Sequence, residues 1–240
     1  MSVYSNTDIK AAVADGTIVC VPFNDNYVSE ASLDFTLGHN FYKQEFEEEA
    51  RVYNPFDKDD VDRYFKGPLQ AMPHKAWCEK NGYKLFDNIP DDHPIIVLRP
   101  GERILAHTHE FVGIRAYGGA CEVKSRSSWG RNGVAVCFDA GWIDPGYVNR
   151  ITLEIYNLNQ HESVVLPVGE RIGQLIFHTT VSPVQGDYSD GRGGISGKYQ
   201  HTSDLDELIR TWSPEQMLPR AYKDARRPTV AVKGLPAGIK

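Results

Sequence analysis

The sequence predicts a mainly β protein, a distorted barrel or jelly-roll with an N-terminal helix and a C-terminal helical extension. Three observations predict it. Short apolar runs follow one another closely from Ile95 to Phe177, Gly/Pro turns separate them, and after Thr180 the pattern changes to a polar arm with helix-like spacing. Many short strands punctuated by such turns are the mark of a barrel or sandwich.

Ser5-Asn6-Thr7-Asp8 followed by Ile9, Ala12 and Val13 reads as a capped amphipathic helix stopped by Gly16. Thr17 to Val21 reads as a strand, and Leu33 to Leu37 alternates as a half-buried strand should. From about 43 to 93 the pattern breaks into an acidic insertion with some structure of its own, too long for a plain connection. Its Asp57, Asp59, Asp60 and Asp62 are better read as a solvated charged face than as a metal site.

Further strands are expected at Ile95–Leu98, Arg103–Ala106, Val134–Phe138, Ile151–Tyr156, Ser163–Leu166 and Ile172–Phe177. The organisation that follows is a β domain over 1–180 and an arm with extension over 181–240. In the arm, Asp187 to Gly197 is glycine-rich and expected to be mobile. Ser203 with Asp206 would cap a helix bearing Leu205, Leu208, Ile209 and Trp212, and Ser213-Pro214 starts a second one. The basic tail from Arg220 is expected to be loosely ordered.

Composition limits the function classes. In a chain of 240 residues, a net charge of −6 speaks against a broad nucleic-acid-binding face, although a local Arg cluster can still hold a small anion. No run reaches the length of a membrane-spanning helix and no secretory leader is evident, so a cytoplasmic protein is expected. Cys20, Cys78, Cys121 and Cys137 are scattered, which fits buried reduced thiols rather than a zinc cluster. His107 and His109 alternate on a strand-like segment, but further metal ligands are not evident.

Two blocks carry chemistry. Ser125-Arg126-Ser127-Ser128-Trp129-Gly130-Arg131 is a dense donor cluster, either a phosphate site or a solvated turn. Ala140 to Tyr147 then leads into the last-named block's strand, where Thr152, Glu154 and Tyr156 share one face. A carboxylate on a rigid strand beside a donor-rich loop suits general acid/base work; taken alone, however, Glu154 is better read as a carboxylate that simply faces solvent.

These blocks resemble the signature of the dCTP deaminases, in the dCTP deaminase/dUTPase superfamily. The likeness runs on through Asp8-Ile9, Ile18 to Pro22, Glu30 to Asp34, Leu98 to Glu102, Leu166 to Gly169 and Gly197-Lys198-Tyr199-Gln200, in one order. It implies a dUTPase-like fold and a homotrimer with active sites between subunits. It also implies zinc-independent hydrolytic deamination of dCTP to dUTP and ammonia. Glu154 would be the general base activating water at cytosine C4, Ser127 and the backbone at Ala140 would hold water and pyrimidine, and Arg131 would support charge and orient Glu154. Arg126, Ser128, Asp144, Tyr147, Gln174, Lys198 and Tyr199 would contact the substrate, with Mg²⁺ accompanying the triphosphate. The zinc-deaminase motifs are not found in the chain.

Departures from the family pattern are the acidic insertion, Val148-Asn149-Arg150 after the turn, Thr202 where a Gln is expected, and the helix-like extension. Two other readings follow. One is a bifunctional enzyme that carries dUTP on to dUMP and pyrophosphate, with Asp144 activating the second water. The other is a non-catalytic nucleotide-binding regulator on the same fold.

Overall fold

The structure, a computed structural model, describes residues 2–44, 52–189 and 197–223. Part of the expected mobile stretch and the tail beyond Lys223 therefore lie outside the described residues. The chain opens with α1 (Asn6–Ala14), β1 (Ile18–Val21), β2 (Val28–Ser29), β3 (Ser32–Thr36) and β4 (Asn40–Gln44). The insertion adds α2 (Lys58–Tyr64), β5 (Phe65–Gln70), β6 (Met72–Pro73) and α3 (His74–Asn81). There follow β7 (Pro94–Leu98), β8 (Arg103–His107), β9 (Phe111–Ile114), β10 (Ala120–Ser125) and the single turn α4 (Ser127–Arg131). The remaining strands are β11 (Val134–Ala135), β12 (Trp142–Ile143), β13 (Val148–Asn149), β14 (Thr152–Asn157), β15 (Val164–Pro167) and β16 (Arg171–His178). Last come α5 (Leu205–Thr211) and 3₁₀ turns at Pro214–Met217 and Ala221–Lys223.

All strand pairings in these sheets are antiparallel. Two five-stranded sheets, β12-β10-β16-β3-β2 and β11-β14-β8-β4-β5, carry most of the fold, with three-stranded sheets β1-β9-β13 and β15-β7-β6 beside them. The mainly β, jelly-roll-like expectation holds, but the sheets do not close into a barrel. Their inner faces meet in one core that includes Leu33, Phe35, Ile104, Leu153, Ile155, Leu175 and Phe177.

Local chemistry explains the N-terminal helix. Ser5 and Asp8 form a reciprocal capping box, and Ile9 and Ala12 are buried. The expected strand at Val134–Phe138 shrinks to two paired residues, because the backbone N–H of Val136 donates to Ser125 Oγ at 3.0 Å instead of to a sheet neighbour. β3 is buried along its whole length rather than alternating. Its polar residues find partners indoors: Thr36 donates both N–H and hydroxyl to Glu110, at 2.9 and 2.7 Å, while Asp34 pairs with two arginines.

The insertion and the extension meet each other. Tyr42, Val61, Phe65, Leu105 and Met217 form a second small core, with Tyr53, Tyr64, Leu218 and Tyr222 packed on it. Burial of such side chains contributes about 1.5–3 kcal/mol each relative to exposure. The acidic cluster belongs to α2: Asp57 caps it, Asp60 pairs with Arg63, and Lys58 pairs with Asp62. In the arm the cap of α5 is Asp204, which accepts from Glu207 N at 3.0 Å, rather than Ser203. An aspartate one residue closer to the first turn adds negative charge where the helix dipole favours it. Leu208 is buried there and Ile209 stays exposed.

Candidate active site

Glu154 sits in the middle of β14, opposite Leu105 of β8, which in turn lies opposite Tyr42 of β4. The three side chains therefore share one face of the sheet, the face covered by the second core. Glu154 is half-buried. Burial pushes its carboxyl above the ordinary glutamate range, against the opposing pull of the Cys137 thiol and the Arg103 guanidinium. Cys137 Sγ donates to Glu154 Oε2 at 3.6 Å. The same burial and carboxylate push the Cys137 thiol up to about 12, so it remains S–H, a donor. Arg103 is held by Tyr156, accepting at 2.7 Å on its hydroxyl and lying 5.3 Å beneath the guanidinium.

The donor-rich block is anchored from below. Trp129 Nε1 donates to the Arg171 carbonyl at 2.9 Å, which pins α4 to β16. Arg126 Nε and Arg171 Nη1 each lie 3.1 Å from Asp34 Oδ2, and the Asp34 side chain is 2% exposed. Gln174 faces Asp34 across the β16–β3 pair and accepts from Ser32 Oγ at 3.4 Å. Ser127, Ser128 and Arg131 project as exposed groups from α4, and Ala140 is exposed as well. Arg131 forms no ion pair with Glu154 in the described chain; the cation acting on that carboxyl is Arg103.

The turn at Asp144–Tyr147 is closed by Tyr147 N donating to the Asp144 carbonyl at 3.1 Å, with Gly146 at φ +87°, a backbone state that favours glycine. The arm holds it. Gln200, 2% exposed, accepts from Val148 N at 2.8 Å and donates to the Gly146 carbonyl at 3.1 Å. This brings Lys198 and Tyr199 beside the turn, and Asn149 Nδ2 donates to the Tyr199 carbonyl at 3.4 Å. Half-buried Tyr147 meets Tyr188 edge to face, with ring centres 5.1 Å apart. Within one chain the structure thus groups Lys198 and Tyr199 with the Asp144 turn, Arg126 with Gln174, and Glu154 with Cys137.

Sequence reasoning missed Cys137, Arg103, Asp34 and Arg220 as neighbours of these groups. Cys137 read only as a reduced thiol, and nothing in the spacing from Arg103 to Glu154 announces that β8 and β14 are adjacent. His107 is buried and neutral, with Nδ1 donating to the Thr108 carbonyl at 2.8 Å and Nε2 accepting from Asn40 N at 3.2 Å. Among the described residues no group of three or more His, Cys, Asp or Glu is arranged to hold a metal ion, and no helix is long and apolar enough to cross a membrane.

The fold is that of a solved 2'-deoxycytidine 5'-triphosphate deaminase from Agrobacterium tumefaciens, at TM-score 0.50 and 20% identity over 74% of this chain and 48% of that one. This chain thus spans about half the length of that solved chain. Residues 3–180 match the family described as dCTP deaminase-like, and the chain belongs to that enzyme family. A relative from Methanopyrus kandleri is 32% identical over 201 residues, covering 82% of this chain and 92% of its own length. One from Halobacterium salinarum is 34% identical over 201 residues, covering 82% and 89%. Both are named dCTP deaminase, dUMP-forming. Those names overturn the expectation of a reaction that ends at dUTP: in these relatives the product is dUMP. Deamination alone leaves the triphosphate intact, so a dUMP product requires a second, phosphate-cleaving step.

Proposed function

We propose that the protein converts dCTP to dUMP, pyrophosphate and ammonia, consuming two waters. The observation that carries this reading is Glu154, a half-buried carboxyl on a rigid strand whose affinity for a proton is raised by burial. A general base works best when its pKa lies nearer the working pH than that of an exposed carboxylate. Glu154 takes a proton from water as the oxygen bonds to C4 of cytosine, then returns protons to the departing amino group, which leaves as ammonia. Ser127 and the Ala140 backbone hold the water and the pyrimidine edge, and Arg131 supports the developing charge.

Asp144 activates the second water for attack on phosphorus, releasing pyrophosphate. Arg126, Ser128, Tyr147, Gln174, Lys198 and Tyr199 contact sugar and phosphates, and Mg²⁺ arrives with the triphosphate as part of the substrate. The sites draw on neighbouring copies of a homotrimer, the arrangement that the family resemblance implies. Residues 1–180 carry the chemistry and 181–240 serve as arm and extension.

An anion-exchange time course with dCTP and Mg²⁺ tests the reading. dUMP and pyrophosphate appearing with stoichiometric ammonia support it, and accumulating dUTP refutes the second step. Binding without turnover establishes a regulator instead. Glu154→Gln is expected to lower the deamination rate by about 10²–10⁴-fold with the oligomer intact.

A further inference from the structure

Arg103 and Glu154 are diagonal neighbours on one face of the β8–β14 pair, since Arg103 lies opposite Tyr156 and Leu105 lies opposite Glu154. Positions on such a diagonal are about 7–8 Å apart, within reach of a long side chain. We propose that Arg103 is a positioning residue for Glu154, and that the insertion, through Tyr64, holds it to that task. The consequence for turnover rests on the function proposed above.

Strand and insertion together fix the guanidinium. Arg103 Nη1 donates to Tyr156 Oη at 2.7 Å, and the Tyr156 ring lies 5.3 Å away. With its amide oxygen turned to the guanidinium, the orientation that pairs donors with acceptors, Gln44 of β4 accepts from Arg103 Nε and Nη2. The Tyr64 hydroxyl of α2 meets the same oxygen at 3.1 Å. The Tyr53 ring stacks on Tyr64 with centres 4.4 Å apart, and both pack on the second core. The hydrogen-bond partners of Arg103 are a phenol and an amide, so they aim the guanidinium without adding charge. Arg103 is half-buried, and covering a charge with weakly polar rings extends its reach. That reach shows at two groups, for the guanidinium favours the ionised form of Glu154 and likewise of Tyr53. The Cys137 thiol and the Tyr42 phenol, each pushed up to about 12, stay uncharged. The carboxylates around this face act on other groups: Asp139 on Cys137, Glu215 and Asp62 on Tyr42, and Asp60 on Tyr53.

Steady-state kinetics on dCTP across pH, paired with a carbon-13 titration of the Glu154 carboxyl in the full-length protein, test the assignment. Glu154→Gln identifies the carboxyl resonance. Arg103→Gln is expected to move the acid limb and the carboxyl titration together to higher pH, by about half a pH unit for a partly screened charge at this separation. Arg103→Lys keeps the charge without the planar fork and should recover part of the shift. Tyr64→Phe should give a smaller shift in the same direction. A loss of stability alone lowers the amount of active protein and leaves the carboxyl titration in place. If Arg103→Gln does not fold, Tyr156→Phe, which removes one acceptor from the guanidinium, decides the matter with the same expected direction. An acid limb and a carboxyl titration that coincide with wild type in folded variants overturn the inference while leaving dCTP turnover standing. A shifted carboxyl titration in a protein that never turns over dCTP upholds the hold of Arg103 on Glu154 and removes the proposed reaction. A shift in Arg103→Gln with none in Tyr64→Phe overturns the part given to the insertion.

Discussion

The Cys137 thiol donates to the Glu154 carboxylate across 3.6 Å, a contact that joins the irregular segment after β11 to the middle of β14. It opposes the effect of burial, which raises the Glu154 pKa, and Arg103 opposes it less. Removing the thiol with Cys137→Ala therefore raises that pKa further. A base must be ionised, so the acid limb of the pH–rate profile moves to higher pH while the plateau above it is retained. Cys137→Ser, which restores a donor, should move the limb back. An acid limb identical in wild type and Cys137→Ala would separate Cys137 from the chemistry.

Asp34 joins Arg126 and Arg171 beneath the donor-rich turn. Asp34→Asn removes the charge that both guanidiniums contact at 3.1 Å. Breaking a fully buried pair costs about 3–5 kcal/mol. Here the arginine side chains are 26% and 38% exposed, and solvent screening reduces the loss to about 2 kcal/mol. Urea unfolding reads this directly; an unshifted midpoint would show that the triad adds no stability.

Gln200→Ala strips two backbone groups, Val148 N–H and the Gly146 carbonyl, of their buried partner. Leaving such groups unpaired costs about 1–3 kcal/mol. Faster hydrogen exchange at Val148 and cleavage of the arm by a protease at lower concentration are the expected results. Unchanged protection at Val148 would mean that the arm is held elsewhere.

His107 gives a pH dependence with a definite sign. Burial depresses its pKa from 6.5 to about 4. The unfolded chain binds the proton first, so stability present at neutral pH is lost as pH falls from about 6.5 towards 4, by about 2 kcal/mol at pH 5. Protonation would also set an N–H against the Asn40 N–H that Nε2 now accepts from. His107→Gln should flatten the unfolding free energy between pH 7 and 5 relative to wild type. Parallel pH profiles for the two proteins would contradict this.

Local signals were legible wherever one segment decides its own state. The capping box at Ser5 and Asp8 and the Gly146 turn are short-range chemistry, and both stand where the sequence puts them. The alternation of β14 correctly separates Leu153 and Ile155 from Glu154. Alternation failed at β3, because whether Asp34 faces water depends on Arg126 and Arg171, far away in the chain. The strand at Val134 was overestimated because a hydroxyl eleven residues earlier captures a backbone donor.

By itself, the sequence determined a mainly β chain, the strands that carry Glu154 and the donor block, and the family to which they belong. Periodicity, turn residues and motif order are properties of neighbouring positions, and they survive without coordinates. Only the tertiary structure decided that the acidic insertion and the extension close over the Glu154 face through Val61, Phe65 and Met217. It alone placed Cys137 on Glu154 and gathered Arg220 and Lys223 with Lys198. Packing and long-range pairing depend on which strands become neighbours. That choice is made by burial over the whole chain, so no local pattern carries it.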